Sequence, residues 1–299
     1  MLDPDDKVFG IIGVFTITAL VIVSIRIYIR AIVKKTTGVD DLFAAVASAG
    51  VITTAVATIW AHVLDHNDTA KPNSGILKAV LVSFYSFWVS EWATKMSILY
   101  ACLRVFGIKR TTKQVIYALA TLCTLHTISA ILSLLLQCRP MSNFWTPRLM
   151  HSGCTNSTII YITHACINLC TDTLTYILPM VLVLRSPLDP AKKRFLICVF
   201  AVCSLTLLAA VGRIVALALF KTTVEHETTA IAWDILSISS CVEITTGLIA
   251  TSLPVLAPVL KNQWISLKSI QHPSRSHRVT TRSRSISDLG IREPQASRG

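Results

Sequence analysis

Residues 8–33 read VFGIIGVFTITALVIVSIRIYIRAIV, and the eighteen residues from Val8 to Ile25 carry no charged side chain. A helix needs roughly 18 to 20 apolar residues to cross the hydrocarbon core of a bilayer. Aspartates rather than basic residues precede this stretch, and it is too long for the core of a cleaved signal peptide. The stretch therefore predicts a transmembrane helix that remains in the protein.

Similar apolar stretches recur along the chain. Of the 299 residues, 53% are hydrophobic and 15% are charged, whereas soluble domains have roughly a quarter of charged residues. Seven stretches are long enough to span a membrane: 8–33, 41–64, 76–103, 115–138, 158–184, 195–220 and 231–260. The sequence predicts an all-α, polytopic bundle of seven transmembrane helices at residues 1–260, followed by a basic, Ser/Arg-rich disordered tail at 261–299.

The basic residues are distributed unevenly between the two sides of these stretches. Twenty of the 28 lysines and arginines follow the first, third and fifth stretches or lie in the tail. Loops rich in these residues stay in the cytoplasm, so the N-terminus is predicted outside and the tail inside. The net charge of +12 does not predict nucleic-acid binding, because the basic clusters lie at membrane ends without interleaved aromatics. The lipid bilayer is their predicted partner.

Two features of the predicted outer segments depend on this orientation. Sequons for N-glycosylation begin at Asn67 and Asn156, so both asparagines are predicted to carry glycans. Cys138 and Cys154 flank an outer loop, which faces an oxidising compartment. The sequence favours a disulfide between these two cysteines, and two unpaired thiols are the alternative.

Ionisable residues inside the stretches are the candidates for function. A charge in the middle of a bilayer is expensive and normally faces the bundle interior. The central depth shared by several of these residues predicts an intramembrane pocket for a ligand or substrate, formed by Glu91, Lys95, His126, Asp172, Arg213 and Glu243. The alternative is purely structural: Glu91 and Lys95, four residues apart, neutralise each other, and the remaining residues join helices.

No other pattern in the sequence indicates a metal, a cofactor or a known catalytic motif. His62, Asp65, His66 and Asp68 have spacing for two metal ligands but no identifiable third, so solvated histidines at the membrane interface are predicted. Asp40 and Asp41 are interpreted as favourable charges at a helix N-terminus beside basic loop residues. The sequence therefore predicts neither a bound metal nor a cofactor, and it leaves open whether the protein is an enzyme.

A series of short sequences is similar to one known family. They are Gly38-Val39-Asp40-Asp41, Lys95 to Tyr100 followed by Arg104, Cys138-Arg139-Pro140 with Trp145 and Gly153-Cys154, Asn168 with Asp172, Leu178-Pro179, Lys192-Lys193, Arg213, Trp233 with Glu243, and Leu253-Pro254. In order and spacing, over about residues 8–260, the chain resembles the fungal rhodopsin-domain family of seven-helix membrane proteins. This family includes the satratoxin-cluster type and is related to Pth-type fungal receptors.

The resemblance implies a setting more than a reaction. Members often occur in secondary-metabolite gene clusters, which implies a protein of the plasma membrane or endoplasmic reticulum that handles or senses a small lipophilic metabolite. The alternatives are a membrane-embedded enzyme, an acid-initiated cyclase or isomerase using Asp172, Glu243 or Glu91, and an orphan receptor-like sensor. No lysine lies between Trp233 and Leu260, so retinal has no attachment site there and is not expected.

The predicted topology has a direct test. A reporter fused after Gly299 is expected to be inaccessible to membrane-impermeant label on intact cells, because the basic loops hold that end inside. Endoglycosidase treatment is expected to increase gel mobility, and Asn67→Gln with Asn156→Gln to remove the effect. External labelling of the reporter would contradict the predicted orientation.

Overall fold

The computed structural model describes residues 4–33, 35–67, 74–106, 109–145, 154, 157–184, 190–222 and 226–271. These residues form seven long α-helices, each overlapping one predicted stretch: α1 Pro4–Tyr28, α2 Val39–Asn67, α3 Ser74–Phe106, α4 Arg110–Leu136, α5 Ser157–Leu184, α6 Pro190–Thr222 and α7 His226–Gln271. The chain divides into two units, Met1–Pro258 and Val259–Gly299. The prediction of an all-α fold is confirmed.

Six of the seven described helices are long and apolar enough to cross a membrane, and α3 is the exception. The reason lies in its position: α3 packs against α2, α4 and α5. From Phe87 to Leu99 nearly every α3 side chain is buried, including the charged Glu91 and Lys95. A helix surrounded by protein rather than lipid can carry polar side chains that bond to its neighbours.

Small residues on one face of α2 allow α3 to approach closely. A Cβ built on Gly50 would lie 2.8 Å from the Cβ of Ser90 and 3.2 Å from the backbone oxygen of Ser86. The Ser90 hydroxyl donates a hydrogen bond of 2.9 Å to the Ala47 carbonyl oxygen. Gly50 is therefore a contact point of two helix backbones, as small residues are in many membrane bundles.

An ion-pair cluster at the predicted cytoplasmic end joins α1 to α2, and its central arginine also bonds to α3 and α7. Arg26 is completely buried and lies 3.1 Å from Asp40 and 3.2 Å from Asp41. Its guanidinium also donates to the Thr251 carbonyl oxygen of α7 at 2.9 Å. Arg30, in the π-helix Ile29–Val33 that follows α1, pairs with both aspartates as well. Asp40 and Asp41 begin α2 as expected, but the basic partners are mainly helical residues rather than loop residues.

The boundary between the last helix and the predicted tail differs from the prediction. Helix α7 ends at Gln271, so residues 261–271 are helical rather than part of a disordered tail. The physical reason is that no glycine or proline lies between 259 and 271 to end the helix. The remainder of the predicted tail lies outside the described residues.

The predicted outer segments contain the disulfide that the sequence favours, because Cys138 and Cys154 are bonded to each other. Asn156 lies outside the described residues, and Asn67 is the last residue of α2.

The close approach at Gly50 leads to a stability prediction. Gly50→Ala is expected to destabilise the protein by about 1–3 kcal/mol, because the new methyl group meets the Cβ and Cα of Ser90, which no change of rotamer can move away. Thermal unfolding of the purified protein in detergent measures the effect. Gly10→Ala is the matched control, since a Cβ there meets nothing within 4 Å. Equal melting temperatures for the two variants would contradict this reading of the α2–α3 contact.

Candidate functional site

A network of buried charges lies in the middle of the bundle, centred on Lys95 of α3. The Lys95 ammonium donates to the side-chain oxygens of Asn168 at 2.7 Å and Thr171 at 2.9 Å, both on α5. It also lies 3.1 Å from an Asp172 carboxylate oxygen and 3.5 Å from a Glu91 carboxylate oxygen. The pair of Glu91 and Lys95 exists, but the lysine is equally a link from α3 to α5.

Asn168 connects this lysine to α6 and α7. Its amide nitrogen donates to Asp172 at 3.0 Å and to Glu243 of α7 at 2.8 Å. The same Glu243 oxygen accepts a hydrogen bond of 3.0 Å from Arg213 of α6. One asparagine therefore completes a continuous chain of polar contacts across four helices. The sequence signal for this role was its spacing of four residues from Asp172, which places both side chains on one helix face.

The charges of the network do not balance. The carboxylate groups of Glu91, Asp172 and Glu243 lie within 4.8 Å of one another, and the facing cations are Lys95 and Arg213. A neutral network thus requires one of the three carboxyl groups to be protonated. The same oxygens have the spacing of a metal site, but the Lys95 ammonium already lies among them, so we assign no metal here.

Some polar atoms of the network lack partners. Among the described residues, Glu243 Oε2 and Arg213 Nε are buried and accept or donate no hydrogen bond. An unsatisfied buried donor or acceptor costs about 1–3 kcal/mol, and more when the group is charged. The Arg213 guanidinium instead lies 4.3 Å from the ring centre of Phe87 and 5.8 Å from that of Trp88. This cation–π contact stabilises the charge without using its N–H donors.

His126 does not join the hydrogen-bonded network. It packs edge-on against Trp88, with ring centres 5.4 Å apart, and lies 5.6 Å from the ring of His164 on α5. His126 Nε2 has no hydrogen-bond partner within the described part of the chain. The structure thus brings five of the six predicted pocket residues into one contact chain, and places His126 beside it with an aromatic neighbour.

A cavity that opens to the surface lies between α2, α3, α5, α6 and α7, and the empty space in and in front of it amounts to about 670 Å³. Its wall is mainly aromatic and apolar, with side chains from Phe84, Phe87, Trp88, Tyr161 and Trp233. Hydroxyl groups of Thr54, Thr58, Ser83, Ser237 and Ser240 add a few polar points. These residues lie in the helix halves nearest the predicted outer connections, about one turn from the charged network.

Arg213 is the contact between the cavity and the network. Of the six predicted pocket residues it alone belongs to the cavity wall, and Glu91, Lys95, His126, Asp172 and Glu243 do not. The sequence placed the charged residues at one depth but gave no sign that the space for a ligand lies beside them. The aromatic wall was missed, because aromatic residues in an apolar helix face lipid, core or cavity equally well.

His62 behaves differently from its sequence prediction. It is buried, its Nε2 lies 3.1 Å from the Ser237 hydroxyl of α7, and its ring packs against Trp233. The prediction of a solvated histidine is therefore wrong for this residue, because α7 covers it. The side chains of His66 and Asp68 lie outside the described residues.

A comparison with protein families now assigns this arrangement. The model of the fungal rhodopsin domain matches residues 25–262, which include every residue of the charged network and of the cavity wall. The chain belongs to the fungal rhodopsin domain family. No curated protein and no solved structure matches it significantly. This member of the family is a multi-pass membrane protein, with six described helices able to span a bilayer by length and composition.

The charged network gives this fungal rhodopsin domain a testable weak point. Lys95→Met is expected to destabilise the bundle by about 3–5 kcal/mol, because it leaves buried carboxylates without their cation. Lys78→Met, at an exposed position of the same helix, is the control and should have little effect. Thermal unfolding in detergent measures both.

A charge-matched double variant separates charge from packing. Lys95→Met with Asp172→Asn keeps one carboxyl group in excess of the cations, as in the wild type. It is expected to recover a large part of the lost stability. A double variant as unstable as Lys95→Met alone would show that packing of the lysine, rather than its charge, holds the helices.

Proposed function

We propose that the protein binds a small lipophilic compound in the cavity and handles or senses it as part of a fungal secondary-metabolite pathway. The observation that supports the proposal is an aromatic cavity whose wall includes a buried arginine with an unused donor. Pockets for small molecules combine mainly apolar walls with a few polar groups that fix the orientation of the ligand. The cavity has that composition.

The walls indicate which compounds fit. Five aromatic residues make the wall mainly apolar, whereas Arg213 and the serine and threonine residues supply isolated polar contacts. Such a surface favours a rigid, largely apolar compound with a small number of oxygen atoms. Its position within a membrane-spanning bundle favours a ligand that enters from the lipid or from the predicted outer side. The pathway assignment rests on the family resemblance in the sequence.

An enzyme is the second candidate, and one observation favours it. Three buried carboxyl groups facing two cations imply one carboxyl proton, and an acid held away from water can protonate an alkene, an epoxide or a carbonyl. An acid-initiated cyclase or isomerase would use Glu91, Asp172 or Glu243 in this way. Sensing is favoured over catalysis by the position of these groups outside the cavity wall, with Arg213 between them and the ligand space.

Filling the cavity tests the proposal in the fungus. In a strain lacking the gene, Ala165→Trp is expected not to restore the metabolite profile, because Ala165 lines the cavity and is nearly fully buried. Ile167→Trp, two residues along the same helix, lies on the exposed face and should restore it. Metabolite profiling and immunoblots of the membrane fraction are the measurements. Full restoration by a normally abundant Ala165→Trp protein would refute a role for the cavity.

The same deletion strain separates the two candidate functions. A sensor predicts reduced transcription of a whole pathway in the deletion strain, with no single intermediate accumulating. An enzyme predicts an accumulated uncyclised or unisomerised intermediate and unchanged transcription. Asp172→Asn and Glu243→Gln would then reproduce that intermediate in protein of normal abundance.

A further inference from the structure

The hydrogen-bonding of Arg213 indicates which polar group a ligand of the cavity would carry. The guanidinium carries five N–H donors, and its hydrogen bond within the described residues uses Nη2, which contacts Glu243. Nε is buried and has no partner among the described residues, and the Arg213 side chain also forms part of the cavity wall. A guanidinium whose donors are not all used, in the wall of a mainly apolar cavity, is stabilised by an oxygen acceptor that enters the cavity.

The charge of that acceptor follows from the network behind Arg213. The facing charged groups are Glu91 and Lys95 of α3, Asp172 of α5, and Glu243 of α7, so the carboxyl groups already outnumber the cations by one. A carboxylate ligand would add a further negative charge to a set that needs a proton to be neutral. Burying such a charge in a medium of low dielectric constant is costly, whereas a neutral oxygen adds no charge.

We propose that the cavity selects lipophilic compounds with a neutral carbonyl oxygen, such as ketones, esters and lactones, which accept hydrogen bonds from Arg213, and discriminates against carboxylates. This inference rests on the proposed function and specifies its ligand class. The Phe87 and Trp88 rings hold the guanidinium from one side by cation–π contact. Because these ring contacts use none of its N–H groups, the donors that are not bonded to Glu243 stay available in the plane of the guanidinium.

Three probes of similar shape test this class: methyl naphthyl ketone, isopropylnaphthalene and naphthoate. Binding is measured with the full-length protein in nanodiscs, by quenching of its tryptophan fluorescence, at a pH where naphthoate is ionised. Each affinity is divided by that for Arg213→Gln with Glu243→Gln, so that partitioning into lipid cancels. This double variant keeps one carboxyl group in excess of the cations, as in the wild type.

The ketone is expected to bind the wild type about 10- to 100-fold more tightly than the double variant, which is the usual effect of a hydrogen bond to a charged group. Isopropylnaphthalene should bind both proteins equally, and naphthoate should gain less than the ketone. A ketone ratio near one, or a naphthoate ratio as large as that of the ketone, would overturn the inference while leaving the cavity as a binding site. If no probe binds the wild type better than Ala165→Trp, the proposed function fails as well.

A second measurement does not need the double variant and covers the case in which that variant does not fold. With a ¹³C-labelled ketone, the infrared carbonyl stretch of the bound probe should lie at lower frequency than that of the probe in lipid, because donation from a guanidinium weakens the C=O bond. Arg213→Lys keeps the positive charge opposite Glu243 but loses the planar set of donors, so the shift should shrink. An unshifted carbonyl band in the bound probe would refute contact with Arg213.

Discussion

The structure depends on how charges are neutralised inside a bundle that lipid surrounds. Water is not available to solvate Lys95, Asp172 or Glu243, so each must find its partner on another helix. Lys95 ties α3 to α5, and Glu243 joins α7 to both α5 and α6. Each of these contacts forms only when both helices are rotated about their axes so that the two side chains face each other. The network therefore determines which helix faces meet and which apolar residues pack around it.

The two charged clusters differ in how many of the hydrogen-bond donors of their arginine have a partner. At the predicted cytoplasmic end, Arg26 bonds to Asp40, Asp41, Ser97 and the backbone of Thr251, and little of its bonding capacity is left. Such a saturated cluster closes one end of the bundle. Arg213, in contrast, has a buried Nε without a partner among the described residues, and its side chain forms part of a cavity wall. Incomplete satisfaction next to a cavity, rather than charge alone, distinguishes the candidate ligand site from structural ion pairs.

The close contact of α2 with α3 positions α3 between the charged network and the cavity. Gly50 lets α3 lie against α2, which places the buried face of α3 at the centre, between the charged network and the cavity. One helix therefore supplies Lys95 to the network and Trp88 to the cavity wall, less than two turns apart. Arg213 contacts both Glu243 and the Trp88 ring, so a single side chain links the cavity wall to the buried carboxyl groups.

The sequence by itself determined the number and approximate limits of the described helices, because crossing lipid requires a local run of apolar residues whatever the neighbouring helices do. Depth also predicted that Glu91, Asp172 and Glu243 would meet the cations Lys95 and Arg213. The tertiary structure alone decided that Asn168 joins them, that His126 stands apart, that Arg26 is buried, and that Arg213 borders a cavity. These outcomes depend on the rotation of each helix about its axis and on its neighbours, which are set by contacts between distant residues and leave no local pattern in the chain.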